Sequence, residues 1–134
     1  YLVYVLGVIM GPAAGRLSNR IGNGRTLMIG ASVLATSMLL LLIADVIAVV
    51  VALLGICGGF FGVHAAAVGA LNLKLAFGQG RANALYVMFY YIGAWCGVVW
   101  SAWIYQHYGW TTLVWLAIII SAIPFIVGWL EHRR

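Results

Sequence analysis

Residues 15–25 read Gly15-Arg16-Leu17-Ser18-Asn19-Arg20-Ile21-Gly22-Asn23-Gly24-Arg25, and this short run holds three of the seven Lys and Arg residues of a 134-residue chain. The sequence on either side is apolar: residues 1–15 and 26–44 contain no Asp, Glu, Lys or Arg. The pattern then repeats. Lys74 and Arg81 form a second basic cluster and Arg133 and Arg134 a third, while the stretches 46–71, 84–105 and 111–130 are free of Asp, Glu, Lys and Arg. Two apolar segments separate each cluster from the next. If every segment crosses a bilayer, all basic residues fall on one side, which is the positive-inside signature of a helical membrane protein.

Composition supports this reading. The chain is 66% hydrophobic and 7% charged, whereas a soluble surface carries roughly a quarter or more charged residues. The net charge of +5 therefore reads as orientation against an anionic inner leaflet, and no nucleic-acid partner is expected. A helix needs about 20 residues to span a hydrocarbon core of about 30 Å. The last four segments meet or nearly meet that length, while residues 1–15 reach only about 22 Å. The first segment is thus expected to be a helix cut partway, the chain being the tail of a longer protein whose N-terminal helices are its partners along with the bilayer.

Small residues recur at helix-packing intervals: Gly7, Gly11 and Gly15; Gly55, Gly58, Gly59, Gly62, Ala65, Ala66 and Gly69; Gly93 and Gly97. Lipid supplies no hydrophobic drive for helix pairing, so close backbone approach through small residues must provide the contact. The expected fold is all-α, a polytopic helical membrane bundle with spans at about 1–15, 26–44, 46–71, 84–105 and 111–130. Residues 16–25 are expected to form a tight polar loop. Trp103, Tyr105, Tyr108, Trp110 and Trp115 cluster at the opposite edge, as in an aromatic belt at the headgroup level.

Enzymatic chemistry is disfavoured. The chain lacks the Lys-Ser/Thr ending of a phosphate loop and the spacing of a nucleophile elbow. His64, His107 and His132 fall on different segments, with Asp45 and Glu131 the only carboxylates, so neither a metal nor a cofactor is expected. Cys57 and Cys96 sit in apolar runs and read as small hydrophobes.

The run at 15–25 resembles the loop motif of the major facilitator superfamily, Gly-x-Leu-x-Asp-Arg-x-Gly-Arg. Gly15, Leu17, Arg20 and Gly22 match in register. Asn19 stands in place of the Asp, and Arg25 follows two residues late. The resemblance implies a cytoplasmic gating loop, with Asn19 able to cap a helix but unable to supply an anion. Gly80-Arg81-Ala82, followed by Ala84-Leu85-Tyr86 and by Phe89-Tyr90-Tyr91 with Gly93, is similar to the start of the eleventh helix in drug- and sugar-efflux members. On this resemblance the chain is a truncated eighth helix through the twelfth. It implies a secondary transporter moving a small solute by alternating access, with proton-coupled efflux favoured. The setting implied is a bacterial inner membrane with a cytoplasmic C-terminus. A membrane scaffold or assembly subunit is the alternative.

The residues themselves offer a possible solute or proton pathway. Tyr86, Tyr90, Gly93, Gly97 and Trp100 share one helical stripe, which a packing face would equally explain. His64 is the only ionisable residue well inside a span. At about 100° per residue it points away from the Gly55/Gly59/Gly62 stripe. Lipid is a costly neighbour for an ionisable group, leaving a second helix or a cavity. Ser32, Thr36 and Ser37 are expected to bond back to their own helix.

Overall fold

The computed structural model describes residues 2–133, and of Leu2, Val3, Tyr4 and Leu6 only the backbone. Arg134, assigned above to the third basic cluster, lies outside the described residues. Four helical elements follow one another: α1 (Leu2–Ile21), α2 (Asn23–Leu40), α3 (Val46–Leu73) and α4 (Gln79–His132). The fold is all-α, and α3 and α4 are each long and apolar enough to cross a membrane.

The tight polar loop expected at 16–25 is not there. α1 runs on through Arg16-Leu17-Ser18-Asn19-Arg20 to Ile21, and the chain breaks only at Gly22, whose φ of 89° suits glycine alone. Nothing between Gly15 and Gly22 forbids a helix, so the polar residues simply continue it beyond the apolar run. Gly15 accordingly turns nothing, and Asn19 caps nothing; it is an exposed residue inside α1. The junction is held instead by Ser18, whose hydroxyl donates to the Asn23 side chain, and by Thr26, whose Oγ1 donates to the Gly22 carbonyl at 2.9 Å.

The other ends follow from local chemistry. Asp45 caps α3 by accepting the Ala48 N–H at 2.9 Å, satisfying one of the donors a helix start leaves open. After α3, Gln79 Nε2 donates to the Asn72 and Leu75 carbonyls at 3.2 and 3.3 Å. α4 is two arms, because Gly109 adopts φ 78°, ψ 179° and breaks the helical path. The arms, 79–108 and 110–132, measure about 45 and 34 Å, each sufficient for a bilayer.

α2 is the centre of the packing, lying against both α3 and the second arm of α4. Glycines meet at both crossings. A Cβ built on Gly59 would lie 2.8 Å from the Gly30 carbonyl, and one on Gly24 would lie 2.7 Å from the Gly128 carbonyl. Gly62 faces Gly30, Gly55 faces the Ser37 hydroxyl and Gly69 faces Asn23, so most of the small-residue stripe of α3 is spent on α2. Gly7 of α1 meets the Phe61 ring of α3, whereas Gly11 and Gly15 meet nothing within 4 Å. Ser32 and Thr36 donate back to the Met28 and Ser32 carbonyls. Ser37 does not, since its hydroxyl is turned to Gly55.

One end of the bundle gathers the basic residues. Asn23 lies against Gly69 there, and Gly24 against His132. Lys74 Nζ and Glu131 Oε2 pair at 2.6 Å, and the Arg133 guanidinium sits 3.7 Å over the Trp129 ring. At the opposite end Trp110 Nε1 donates to the Leu41 carbonyl at 3.0 Å. The first arm of α4 has few neighbours: residues 87–100 are all exposed, and the expected packing face of Gly93 and Gly97 meets nothing within 4 Å among the described residues.

Candidate functional site between α3 and the first arm of α4

His64 stands about 27 Å along α3, counted at 1.5 Å per residue from Val46, and ten residues before Lys74 at the basic end. Because the glycine stripe of α3 is committed to α2, the face carrying His64 is left for α4. Tyr86 and Tyr90, one turn apart on the first arm, meet it. The Tyr86 hydroxyl lies 3.0 Å from His64 Nδ1. Tyr90 presents its edge to the imidazole, centroids 5.4 Å apart at 64°, and Phe60, one turn before His64, stacks on it at 5.9 Å and 22°. Phe60 and Tyr90 are themselves 6.0 Å apart. The imidazole is thereby oriented on three sides by rings and one hydrogen bond, and its Nε2 has no partner among the described residues.

Three of the four pathway residues read from the sequence therefore meet: His64, Tyr86 and Tyr90. Trp100 does not. It lies about 15 Å beyond Tyr90 along the same arm and is 72% exposed. It lines a separate, almost wholly apolar cleft of about 700 Å³ at the Gly109 bend, with Trp103, Tyr108 and Leu116. Phe60 was not singled out, although its i, i+4 spacing to His64 was there to be read.

No carboxylate reaches this cluster. Asp45 caps α3 and Glu131 pairs with Lys74, so the two acidic residues are used at opposite ends. Among the described residues no three His, Cys, Asp or Glu side chains assemble to hold a metal. The loop-motif residues are divided. Gly15, Leu17, Asn19 and Arg20 lie on the last turns of α1, Gly22 at the break and Arg25 in the first turn of α2. The described residues contain one ion pair, Lys74–Glu131, so Arg20 and Arg25 have no anionic partner among them.

The apolar, bilayer-length helices α3 and α4, packed with α2 through glycine and with basic residues gathered at one end, describe a polytopic helical membrane protein. The comparisons make the assignment specific: residues 1–134 match the Major Facilitator Superfamily over their whole length, and the chain belongs to that family. It is 26% identical over 133 residues to the Inner membrane transport protein YnfM of Escherichia coli strain K12, covering 99% of this chain and 32% of that protein. It is likewise 26% identical over 93 residues to an Uncharacterized transporter of Buchnera aphidicola subsp. Schizaphis graminum, covering 69% of this chain and 22% of that protein. The chain thus spans about a third or less of the length of these relatives. No solved structure gives a significant match.

Proposed function

We propose that this chain is the C-terminal part of a secondary active transporter, its helices corresponding to the eighth through twelfth of the family's bundle. The complete protein moves a small solute by alternating access, the two helical halves rocking around a site near the bilayer midplane, and exports that solute in exchange for protons. It lies in a bacterial inner membrane, the setting named for the Escherichia coli relative. The basic end and the C-terminus face the cytoplasm under the positive-inside rule, with the Arg20–Gly22–Arg25 junction serving as the inner gating element. The N-terminal helices complete the solute pathway, and no cofactor is required.

The observation that carries this reading is the Tyr86–His64 hydrogen bond linking α3 to the first arm of α4. Ionisable groups within spans mark ion and substrate pathways, and His is the side chain that changes charge near neutral pH. Here it sits between two helices, one of which offers an otherwise unoccupied face. The test is reconstitution of the full-length transporter in liposomes with an imposed proton gradient. Movement of a panel of lipophilic cations, aromatic acids and sugars is then followed. Export of at least one solute against its gradient, abolished by collapsing the proton gradient, is expected. Solute movement indifferent to the gradient contradicts proton coupling, and none at all favours a scaffold role.

A further inference from the structure

We propose that Tyr86 is the positioning residue for proton loading at His64: its hydroxyl donates to Nδ1 of the neutral imidazole, so that a proton reaches the ring through the tyrosine oxygen. This rests on the reading of His64 as the proton-carrying group. The number of polar groups left open decides the direction of the bond. Among the described residues the Tyr86 hydroxyl and the His64 ring have no hydrogen-bond partner but each other. If Tyr86 donates, Nδ1 accepts, the hydroxyl hydrogen is used and a single polar hydrogen, on Nε2, is left without a partner. If Nδ1 donates to the tyrosine oxygen instead, both the hydroxyl hydrogen and the bare Nε2 are left open. Open polar groups are costly where water is scarce, so the first arrangement prevails in the neutral pair.

That arrangement places the ring's one basic nitrogen behind the hydroxyl. On loading, the incoming proton bonds to the Tyr86 oxygen and the hydroxyl's own proton passes to Nδ1. Tyrosine ends neutral and the imidazole carries one positive charge. Nδ1–H now donates to the tyrosine oxygen, so the link between α3 and α4 survives in both charge states with its direction reversed. Unloading runs the same step backward. Phe60 and Tyr90 keep the ring from turning Nε2 towards Tyr86, through the stack and the edge contact already described.

Tyr86 and Tyr90 are the titratable groups facing the ring from α4, and Cys57 lies two turns away on α3 itself. Opposite the glycines of the α1–α3 and α2–α3 crossings stand Gly7 of α1 and Gly30, Leu34, Ser37 and Asn23 of α2, none of them titratable.

The experiment is nuclear magnetic resonance of the full-length transporter in lipid nanodiscs, with isotopically labelled histidine nitrogens, titrated over pH. The His64 signals are assigned by their loss in His64→Asn. The expected result is a neutral ring with hydrogen on Nε2 and a bare, hydrogen-bonded Nδ1 that gains its proton on acidification. Tyr86→Phe is expected to displace that midpoint by on the order of one pH unit, because the bond is made in both charge states but is about twice as strong when the imidazole is charged. A neutral wild-type ring with hydrogen on Nδ1 overturns the proposal without any variant, and so does an unchanged midpoint in Tyr86→Phe. Either result leaves the transport role of His64 to stand or fall on flux measurements.

Discussion

Replacing Gly59 by Ala tests the packing on which the site's geometry depends. The added Cβ would lie 2.8 Å from the Gly30 carbonyl oxygen and 2.9 Å from the Leu34 backbone nitrogen. Carbon–oxygen contacts across helices begin at about 3.3 Å, so α2 and α3 would have to part by about 0.5 Å. Both obstacles are backbone within a helix, so no rotamer change relieves them. Overpacking of this kind costs about 1–3 kcal/mol. Gly58 is the internal control, because a Cβ there meets nothing within 4 Å, and Ala is favoured over Gly in a helix by up to about 1 kcal/mol. Thermal unfolding of the full-length protein in detergent should therefore show Gly59→Ala clearly destabilised and Gly58→Ala at or above wild type. Equal melting of Gly59→Ala and wild type would refute the close crossing of α2 and α3.

Three further outcomes are expected. Topology reporters fused in the full-length protein after Asp45, Gln79 and the C-terminus should report outside, inside and inside, and an outward signal at Gln79 reverses the assigned orientation. Lys74→Glu should weaken the basic end only slightly, since the pair it breaks is exposed and such bridges contribute about 0–1 kcal/mol; pairing it with Glu131→Lys should restore wild-type melting, and failure to restore means the pair is not formed in the membrane. Trp110→Phe removes the hydrogen bond to the Leu41 carbonyl and should lower stability by about 1 kcal/mol, with an unchanged melting temperature showing that the outer turn does not depend on it.

How far the sequence could be read divides along physical lines. Hydropathy marks apolar runs: the run 46–71 coincides with α3 to within two residues, whereas Asp45, read as a break between spans, also caps α3, and α4 begins at Gln79, five residues before the apolar run at 84. Hydropathy failed at 16–21, where the helix leaves the apolar zone without leaving the helical conformation; polarity and helix ends are different properties, and there they separate. The direction of His64 was legible because the glycine stripe fixes one face of α3 and so defines the other. Its partners were half legible. Tyr86, Tyr90 and Trp100 share a stripe, yet the stripe is about 21 Å long and a single imidazole touches only its near end. The closing contact joins residues 22 positions apart, which periodicity alone cannot pair. Gly93 and Gly97 carry the spacing of a packing face, but spacing does not say what lies opposite.

Proton coupling through His64 is the claim that all of this serves, and one measurement reaches it directly. The full-length transporter and its His64→Asn and His64→Gln variants are reconstituted at matched protein levels. Proton release accompanying solute export is then recorded across a range of pH. Asn places a polar atom near the position of Nδ1 and Gln near that of Nε2, so the pair samples both edges of the ring without its titration. Both variants are expected to lose proton-coupled export, and neither to retain the wild-type pH profile. Full proton-coupled export with an unchanged pH profile in either variant would contradict the claim and reduce His64 to a link between helices.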